Sequence, residues 1–330
     1  KLGALLSLFT VLILVLIAFA GVKAGNLHFL FGVVIPYAAI ITFTTGVIYR
    51  ILKWAGSPVP FRIPTTCGQQ KSLPWIKHSK IENPSNTLGV IKRMALEVLL
   101  FRSLFRNLKT EIREEKVVYG SEKWLWLAGL VFHWSFLIII LRHFRLFVDP
   151  VPAFMHLIES FDGFLQIGVP RLFITGVILL VSVAYLLFRR FFIQQVRYIS
   201  LANDYFPLFL ILGIGFTGIL MRYFTKVDLV NTKQLIIGLF SFKPEIPEGV
   251  GVIFYIHLFL VSILFAYFPF SKLVHMPGVF LSPTRNLSNN NRTKRHINPW
   301  NYPVKVHTYE DYENEFREKM KKAGIPVEKE

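Results

Sequence analysis

Cysteine is almost absent. Cys67 is the only one in 330 residues. That excludes an internal disulfide and an iron–sulfur cluster held by this chain alone, and with no CxxCH string it excludes covalently attached haem. Charge is scarce as well: 17% of residues are charged against 53% hydrophobic. Acidic residues are the scarcer sign, 20 against 37 basic, for a net charge of +17. So little polar surface cannot cover soluble domains of this size, so a soluble enzyme and a disordered chain are both excluded. No repeat of 20–50 residues and no low-complexity tract occurs. A charge of +17 on a soluble protein would suggest nucleic acid. Here the charge follows membrane topology instead, and no nucleic-acid partner is expected.

Long apolar runs are what the chain has in abundance, and its mean hydropathy is +0.48. Six segments approach the roughly 20 residues that cross a bilayer. They are Leu2–Ala20, His28–Leu52, Trp124–Val148, Ile167–Phe188, Tyr205–Phe224 and Val250–Phe270. Backbone polar groups in hydrocarbon must be satisfied within the segment, so each reads as a helix. The expected fold is all-α, an integral membrane bundle of about six transmembrane helices. Ala18-Phe19-Ala20 resembles a signal cleavage site, but the run is long for a signal peptide, and a retained span is the expectation.

Lysine and arginine set the orientation. Segment 53–123, the turn after span four and the tail from Lys272 carry 27, and the opposite loops carry 4. Both termini are therefore expected in the cytoplasm, with the chain a multi-pass protein of the cytoplasmic membrane. The organisation is then two N-terminal spans (1–52), a cytoplasmic segment (53–123), a four-helix core (124–275) and a cytoplasmic tail (276–330). Within 53–123, Gly89–Leu108 has apolar residues at three- and four-residue spacing with basic residues between. It reads as an amphipathic helix, suited to the membrane surface or to a partner. The tail ends in a short helix over Tyr309–Ala323. Gly213, Gly215 and Gly218 form a GxGxxG string inside span five, with no strand before it, so it does not indicate a dinucleotide. Small residues there suit close helix packing, or the approach of a flat macrocycle.

Ionisable side chains inside spans are functional candidates. His133 and His143 lie in span three, His257 in span six, and His275 just past its end. Ten helical residues put the first two about 80° apart around the axis and about 15 Å apart along it. His257 and His275 are 18 apart, or five turns, on one face. Matching depth on antiparallel spans pairs His133 with His275 and His143 with His257. Two imidazoles from facing helices can clamp a haem through both axial positions, which leaves electron transfer as its chemistry. The alternative is four core histidines bonded to neighbouring helices. A mismatch stands against the pairing: 18 helical residues span about 27 Å, not 15 Å. The break at Pro269, tilt, or an unwound segment before His275 would each shorten it.

This pattern resembles the nitrate reductase gamma-subunit superfamily of dihaem cytochromes b. Three strings resemble most closely its DsrM branch, the membrane subunits of DsrMKJOP complexes. They are Gly46-Val-Ile-Tyr-Arg-Ile-Leu-Lys-Trp54, Ser57-Pro-Val-Pro-Phe-Arg-Ile-Pro-Thr-Thr-Cys-Gly-Gln-Gln-Lys-Ser-Leu-Pro-Trp75 and Arg93-Met-Ala-Leu-Glu-Val-Leu-Leu-Phe-Arg-Ser-Leu-Phe-Arg106. The resemblance covers about 30–275, and the first span is extra to the simplest family pattern. It implies two haems b with bis-histidine ligation by His133, His143, His257 and His275. It also implies exchange of electrons with menaquinone or menaquinol. The partners it implies are a cytoplasmic iron–sulfur subunit resembling DsrK and other DsrMKJOP subunits, including a periplasmic multihaem cytochrome. The setting it implies is dissimilatory sulfite or sulfate reduction. The neighbouring alternative is the haem b subunit of a membrane heterodisulfide reductase. A proton-coupled transporter or a cofactor-free anchor are readings from other classes.

Arg142, Arg145, Arg171 and Arg222 sit at the outer span ends. Snorkelling to headgroups and pairing with haem propionates both suit them. Arg142 and Arg171, closest to the apolar segments, are the propionate candidates. A quinone pocket belongs beside His143, with Asp149, His156, Glu159 and Asp162 in the adjoining loop as proton-handling candidates. Cys67 is a candidate redox or partner-contact residue. The chain itself is expected to supply no bond-making residue beyond quinol oxidation.

Overall fold

In the computed structural model, residues 2–57, 68–294 and 306–329 are described. Cys67 and most of the 57–75 string lie outside these. Six helices are long and apolar enough to cross a membrane: Leu2–Lys23, Leu30–Ala55, Lys123–Leu146, Ile174–Phe192, Ala202–Phe224 and Val252–Phe270. They are called spans one to six. Span two opens with a π turn over Leu30–Val34 and carries Pro36 in its first α turn, where no intrahelical donor is needed. Span four begins at Ile174, seven residues later than its hydropathy suggests. Gln166 and Gly168 take φ of 52° and 77°, outside the helical region, and Pro170 follows.

Spans alternate in direction. The end where span one starts and span six finishes is called the near end, and the opposite one the far end. Span six is the most buried and sits among spans one, two and five. Span four joins span five, and span three leans on span four as the least buried of the six. Spans three and six do not pack closely on one another. The core gathers Val11, Ala18, Leu210, Tyr255, Phe259 and Leu260 from spans one, five and six. A far-end helix, Leu229–Phe240, adds Leu235 and Leu239, and Asp228 caps it by accepting from Val230 N and Asn231 N. Tyr37 of span two donates to the Leu239 carbonyl at 2.8 Å. This helix, and Ala153–Asp162 between spans three and four, occupy what the sequence presents as loops.

The near-end segment differs from expectation in three ways. The amphipathic helix runs over Thr87–Leu100, with the Asn86 side chain accepting from Gly89 N. It stops because Phe101 is left-handed (φ 50°), and a single turn, Arg102–Phe105, follows. A β-hairpin then pairs Leu108–Arg113 with Lys116–Ser121. Its two-residue turn, Glu114-Glu115, has both φ positive, as the tight primed turns require. The tail folds back onto this segment. Asn289 N donates to the Pro84 carbonyl and Asn289 Nδ2 to Asn83 Oδ1, at 2.6 and 2.7 Å, and all of these groups are buried. Arg285 pairs with buried Glu97 at 3.5 Å. The final helix, Tyr309–Lys322, is opened by a Thr308/Asp311 capping box.

Asn289→Ala removes a buried amide-to-amide bond, a loss of about 1 kcal/mol. Limited proteolysis of the protein in nanodiscs should then cut faster within 282–294 while the far-ultraviolet circular dichroism stays as in wild type. An unchanged cleavage rate would show that the asparagine contact does not hold the tail.

Candidate functional site

Four imidazoles line the slot between spans three and six. Span three presents His133 and His143 ten residues apart. His257 projects from span six. Past Tyr267 the sixth α-helix gives way to a 3-10 turn over Phe268–Phe270, an extended Ser271, and a second 3-10 turn over Lys272–Val274. Pro269 lacks the amide hydrogen that would continue the helix. His275 therefore follows an unwound stretch and does not stand at the end of five regular turns. Of the three possibilities that the sequence left open, a break at Pro269 and an unwound stretch before His275 are present.

The structure brings the rings together in two pairs. His133 and His275 have ring centres 6.0 Å apart with planes at 81°. His143 and His257 have centres 6.5 Å apart with planes 5° from parallel. A metal bound to an imidazole nitrogen lies about 2 Å from it, so an imidazole–metal–imidazole sandwich sets ring centres about 6 Å apart. Among the described residues, no group of three or more His, Cys, Asp or Glu comes together for a metal. Each pair could offer two ligands to a metal, and among the described residues no third His, Cys, Asp or Glu joins either pair.

Every one of these rings is tied through Nδ1. His133 donates to the Gly129 carbonyl and His143 to the Ile139 carbonyl, both at 2.7 Å and one turn back. His275 donates to the Lys272 carbonyl at 2.9 Å. His257 Nδ1 lies 2.9 Å from Thr217 Oγ1, whose own proton is directed to the Gly213 carbonyl at 2.8 Å. The hydroxyl oxygen therefore accepts from His257. A neutral imidazole with its proton on Nδ1 keeps a lone pair on Nε2. A histidine that binds a metal through Nε2 needs its Nδ1 proton held in this way.

Span five, which has no histidine, shapes the far pair. A Cβ on Gly218 would stand 3.4 Å from the His257 ring, an ordinary contact distance, so span five passes close beside that imidazole. Gly213 faces Leu260 and Val11, and Gly215 faces Leu180. Two of the three string glycines therefore serve helix packing, and the third lies beside a histidine. At the near pair, the Phe101 ring meets His133 edge-on at 4.9 Å. Trp126 and Trp134 of span three donate to the Leu100 and Leu99 carbonyls at 2.7 and 3.0 Å. They satisfy the open C-terminal end of the amphipathic helix and hold it over His133.

The far-end polar residues are mostly committed to one another. Arg142 Nε lies 3.0 Å from buried Asp162, and Thr175 donates to the same carboxylate from its amide and hydroxyl at 2.8 and 2.6 Å. Arg142 and Arg222 stack on opposite sides of Phe173, each guanidinium carbon 3.9 Å from the ring centre. Any propionate reaching Arg142 would share it with Asp162. Arg171 is exposed, and among the described residues its side chain has no ion-pair partner. Glu159 pairs with Arg145 at 2.6 Å and Asp149 with Lys233 at 3.3 Å, while His156 is exposed. A groove of about 300 Å³ runs between Ile138, Ile158, Phe161 and Phe164, with Asp162 and Thr175 at its polar end.

Thr217, Phe101 and the two tryptophans escaped the sequence reading. Thr217 alone carried a usable signal, as one of the few polar side chains within span five.

Residues 93–293 match the family described as nitrate reductase gamma subunit. The chain is 44% identical over 278 residues to the Hdr-like menaquinol oxidoreductase cytochrome b-like subunit of Archaeoglobus fulgidus, covering 82% of this chain and 83% of the relative. It is 42% identical over 273 residues to the protein of the same description from Archaeoglobus profundus, covering 81% of each.

Asp162→Asn would leave the Arg142 guanidinium without its charge partner. Breaking a buried pair from one side costs about 3–5 kcal/mol. A clear fall in the thermal midpoint of the detergent-solubilised protein is expected, and Asp162→Glu should recover part of it. A midpoint equal to wild type in Asp162→Asn would mean that the pair contributes no stability.

Proposed function

The chain belongs to the nitrate reductase gamma-subunit family, and we propose that it is the dihaem membrane subunit of a menaquinol-oxidising electron-transfer complex. The observation that carries this is the pair of imidazole couples at sandwich separation, each ring fixed through Nδ1 with Nε2 free. His133 and His275 hold the near-end haem b, and His143 and His257 hold the far-end one. Haem b, when bound with both axial positions filled, supplies one-electron transfer and no site for substrate. The chain's residues do the rest. The Nδ1 tethers hold each ring edge-on to the slot. Gly218 lies beside the far pair, and Phe101 covers the near pair.

Orientation follows the distribution of Lys and Arg, 27 against 4. The near end with both termini faces the cytoplasm. Menaquinol then binds at the far end, beside His143. Its oxidation to the quinone releases two electrons and two protons. The apolar groove suits a quinone ring, the Asp162 carboxylate at its end can accept from a quinol hydroxyl, and exposed His156 can accept a proton on that side. Arg171 is the propionate partner with its charge unclaimed, and Arg142 serves a propionate only in company with Asp162.

Electrons leave at the near end to a water-soluble iron–sulfur subunit. The relatives' name, Hdr-like menaquinol oxidoreductase, supports a partner related to heterodisulfide reductase, as DsrK is. The DsrMKJOP setting, its periplasmic multihaem cytochrome and the link to sulfite reduction rest on the three strings from 46 to 106. The basic near-end segments add attraction to lipid headgroups.

The test is the absorption spectrum of the purified protein, oxidised and dithionite-reduced, with haem quantified as the pyridine complex. About two low-spin haems b per chain are expected from the two bis-imidazole sites. His133→Ala and His143→Ala should each retain one of the two, and a menaquinol analogue should reduce the wild-type protein. Well-folded protein without haem would overturn the electron-transfer reading. Two haems in both variants would overturn the ligand assignment.

A further inference from the structure

Span two has no histidine within its α-helix, yet one of its faces meets the stretch that delivers His275. Gly46, Arg50 and Trp54 recur every four residues, which makes them one stripe on a helix. They are also the first, fifth and last residues of the string Gly46–Trp54 that the haem assignment leaves without a role. A Cβ on Gly46 would stand 2.7 Å from both Cβ and Cγ of Pro269, so glycine admits the proline ring where a larger residue would displace it. Arg50 Nε donates to the Pro269 carbonyl at 2.9 Å. That carbonyl lies in the last turn of span six, where helical donors run out. The Trp54 ring lies 3.4 Å from the place of a Cβ on Gly278. Pro269 and Gly278 bracket His275. Phe43, just before the stripe, packs edge-on against Phe265 and Phe268 at 5.1 and 5.3 Å.

A second grip comes from span five. Buried Asp204 pairs with Lys272 Nζ at 2.6 Å, and the Lys272 carbonyl accepts from His275 Nδ1. Lys272 itself is largely exposed, which makes this the weaker hold. The span-two contacts act on buried Pro269, at the point where the helix ends.

We infer that the Gly46–Arg50–Trp54 stripe of span two is a positioning surface for His275. It sets where the chain leaves span six, and so sets the direction of the near-end imidazole. None of the three touches either histidine pair. They act through the backbone of 269–278. The inference rests on the two-haem reading above.

The two sites differ in ring-plane angle, 81° against 5°, a difference that the g anisotropy of a low-spin ferric haem reads. The experiment compares purified full-length wild type with Gly46→Val, Arg50→Met, Arg50→Lys and Thr217→Val. It measures haem per chain, a potentiometric titration and low-temperature electron paramagnetic resonance. Gly46→Val and Arg50→Met should lose one haem of the two, or shift its potential and g values, and leave the other as in wild type. Arg50→Lys keeps a donor and should fall between. Thr217→Val should alter the haem that Arg50→Met spares. If Gly46→Val fails to accumulate, Arg50→Met and Trp54→Leu, which only trim side chains, decide. Signals identical to wild type in those variants overturn the inference. Equal change at both haems also overturns it, since that marks general loosening. Wild type without haem would instead remove the two-haem reading.

Discussion

Spans three and six do not pack closely on one another, and each is held in place by different neighbours. The slot between spans three and six is bridged by facing imidazoles with ring centres 6.0 and 6.5 Å apart. Direct packing of the two helices would close that distance. Instead each wall has a different support. Span three leans on span four, and span six is enclosed by spans one, two and five. The ends are pinned by ion pairs, Arg189 to Glu122 at the near end and Arg142 to Asp162 at the far end.

The break after span six reconciles two incompatible periods. Span three places its histidines about 15 Å apart along a continuous helix, whereas 18 continuous helical residues would place the partners about 27 Å apart. Unwinding costs backbone hydrogen bonds, and a membrane interior tolerates that only where other groups make up the loss. They do so near His275. Arg50 takes the Pro269 carbonyl, the Ser271 hydroxyl accepts from Leu273 N, and His275 itself uses the Lys272 carbonyl. The irregular backbone thus both presents His275 and accepts its Nδ1 hydrogen bond. No sum over hydropathy contains this, since it depends on a carbonyl freed in one span and a guanidinium four turns along another.

What could be read from the chain follows from the same distinction. The six spans were legible because each is a long apolar run, a local property. The late start of span four was not, because Gln166 in the left-handed region is a tertiary outcome with no marker in its composition. The hairpin at 108–121 was hidden by a turn, Glu114-Glu115, made without the asparagine or glycine that usually announces it. Helices Ala153–Asp162 and Leu229–Phe240 are too short to span and were taken into loops. The pairing of the four histidines by depth came from the expected topology, against helix arithmetic that set one pair about 15 Å apart and the other about 27 Å apart. Their Nδ1 partners did not follow from it: three are backbone carbonyls, silent in a sequence, and the fourth is Thr217.

Carboxylates are kept out of the bundle interior. No Asp or Glu lies within any span beyond Asp204 at the start of span five. Four buried hydroxyls within the spans donate back to their own helices. Ser135 donates to Phe132, Ser182 to Leu179, Ser262 to Leu258 and Thr217 to Gly213. A proton relay needs groups that can give and accept across a gap, and these have spent their donors locally. The carboxylates stand at the two ends, paired with arginine or lysine. On the reading proposed above, protons from a quinol oxidised at the far end would meet no carboxylate within the spans before Asp204 to carry them to the near end.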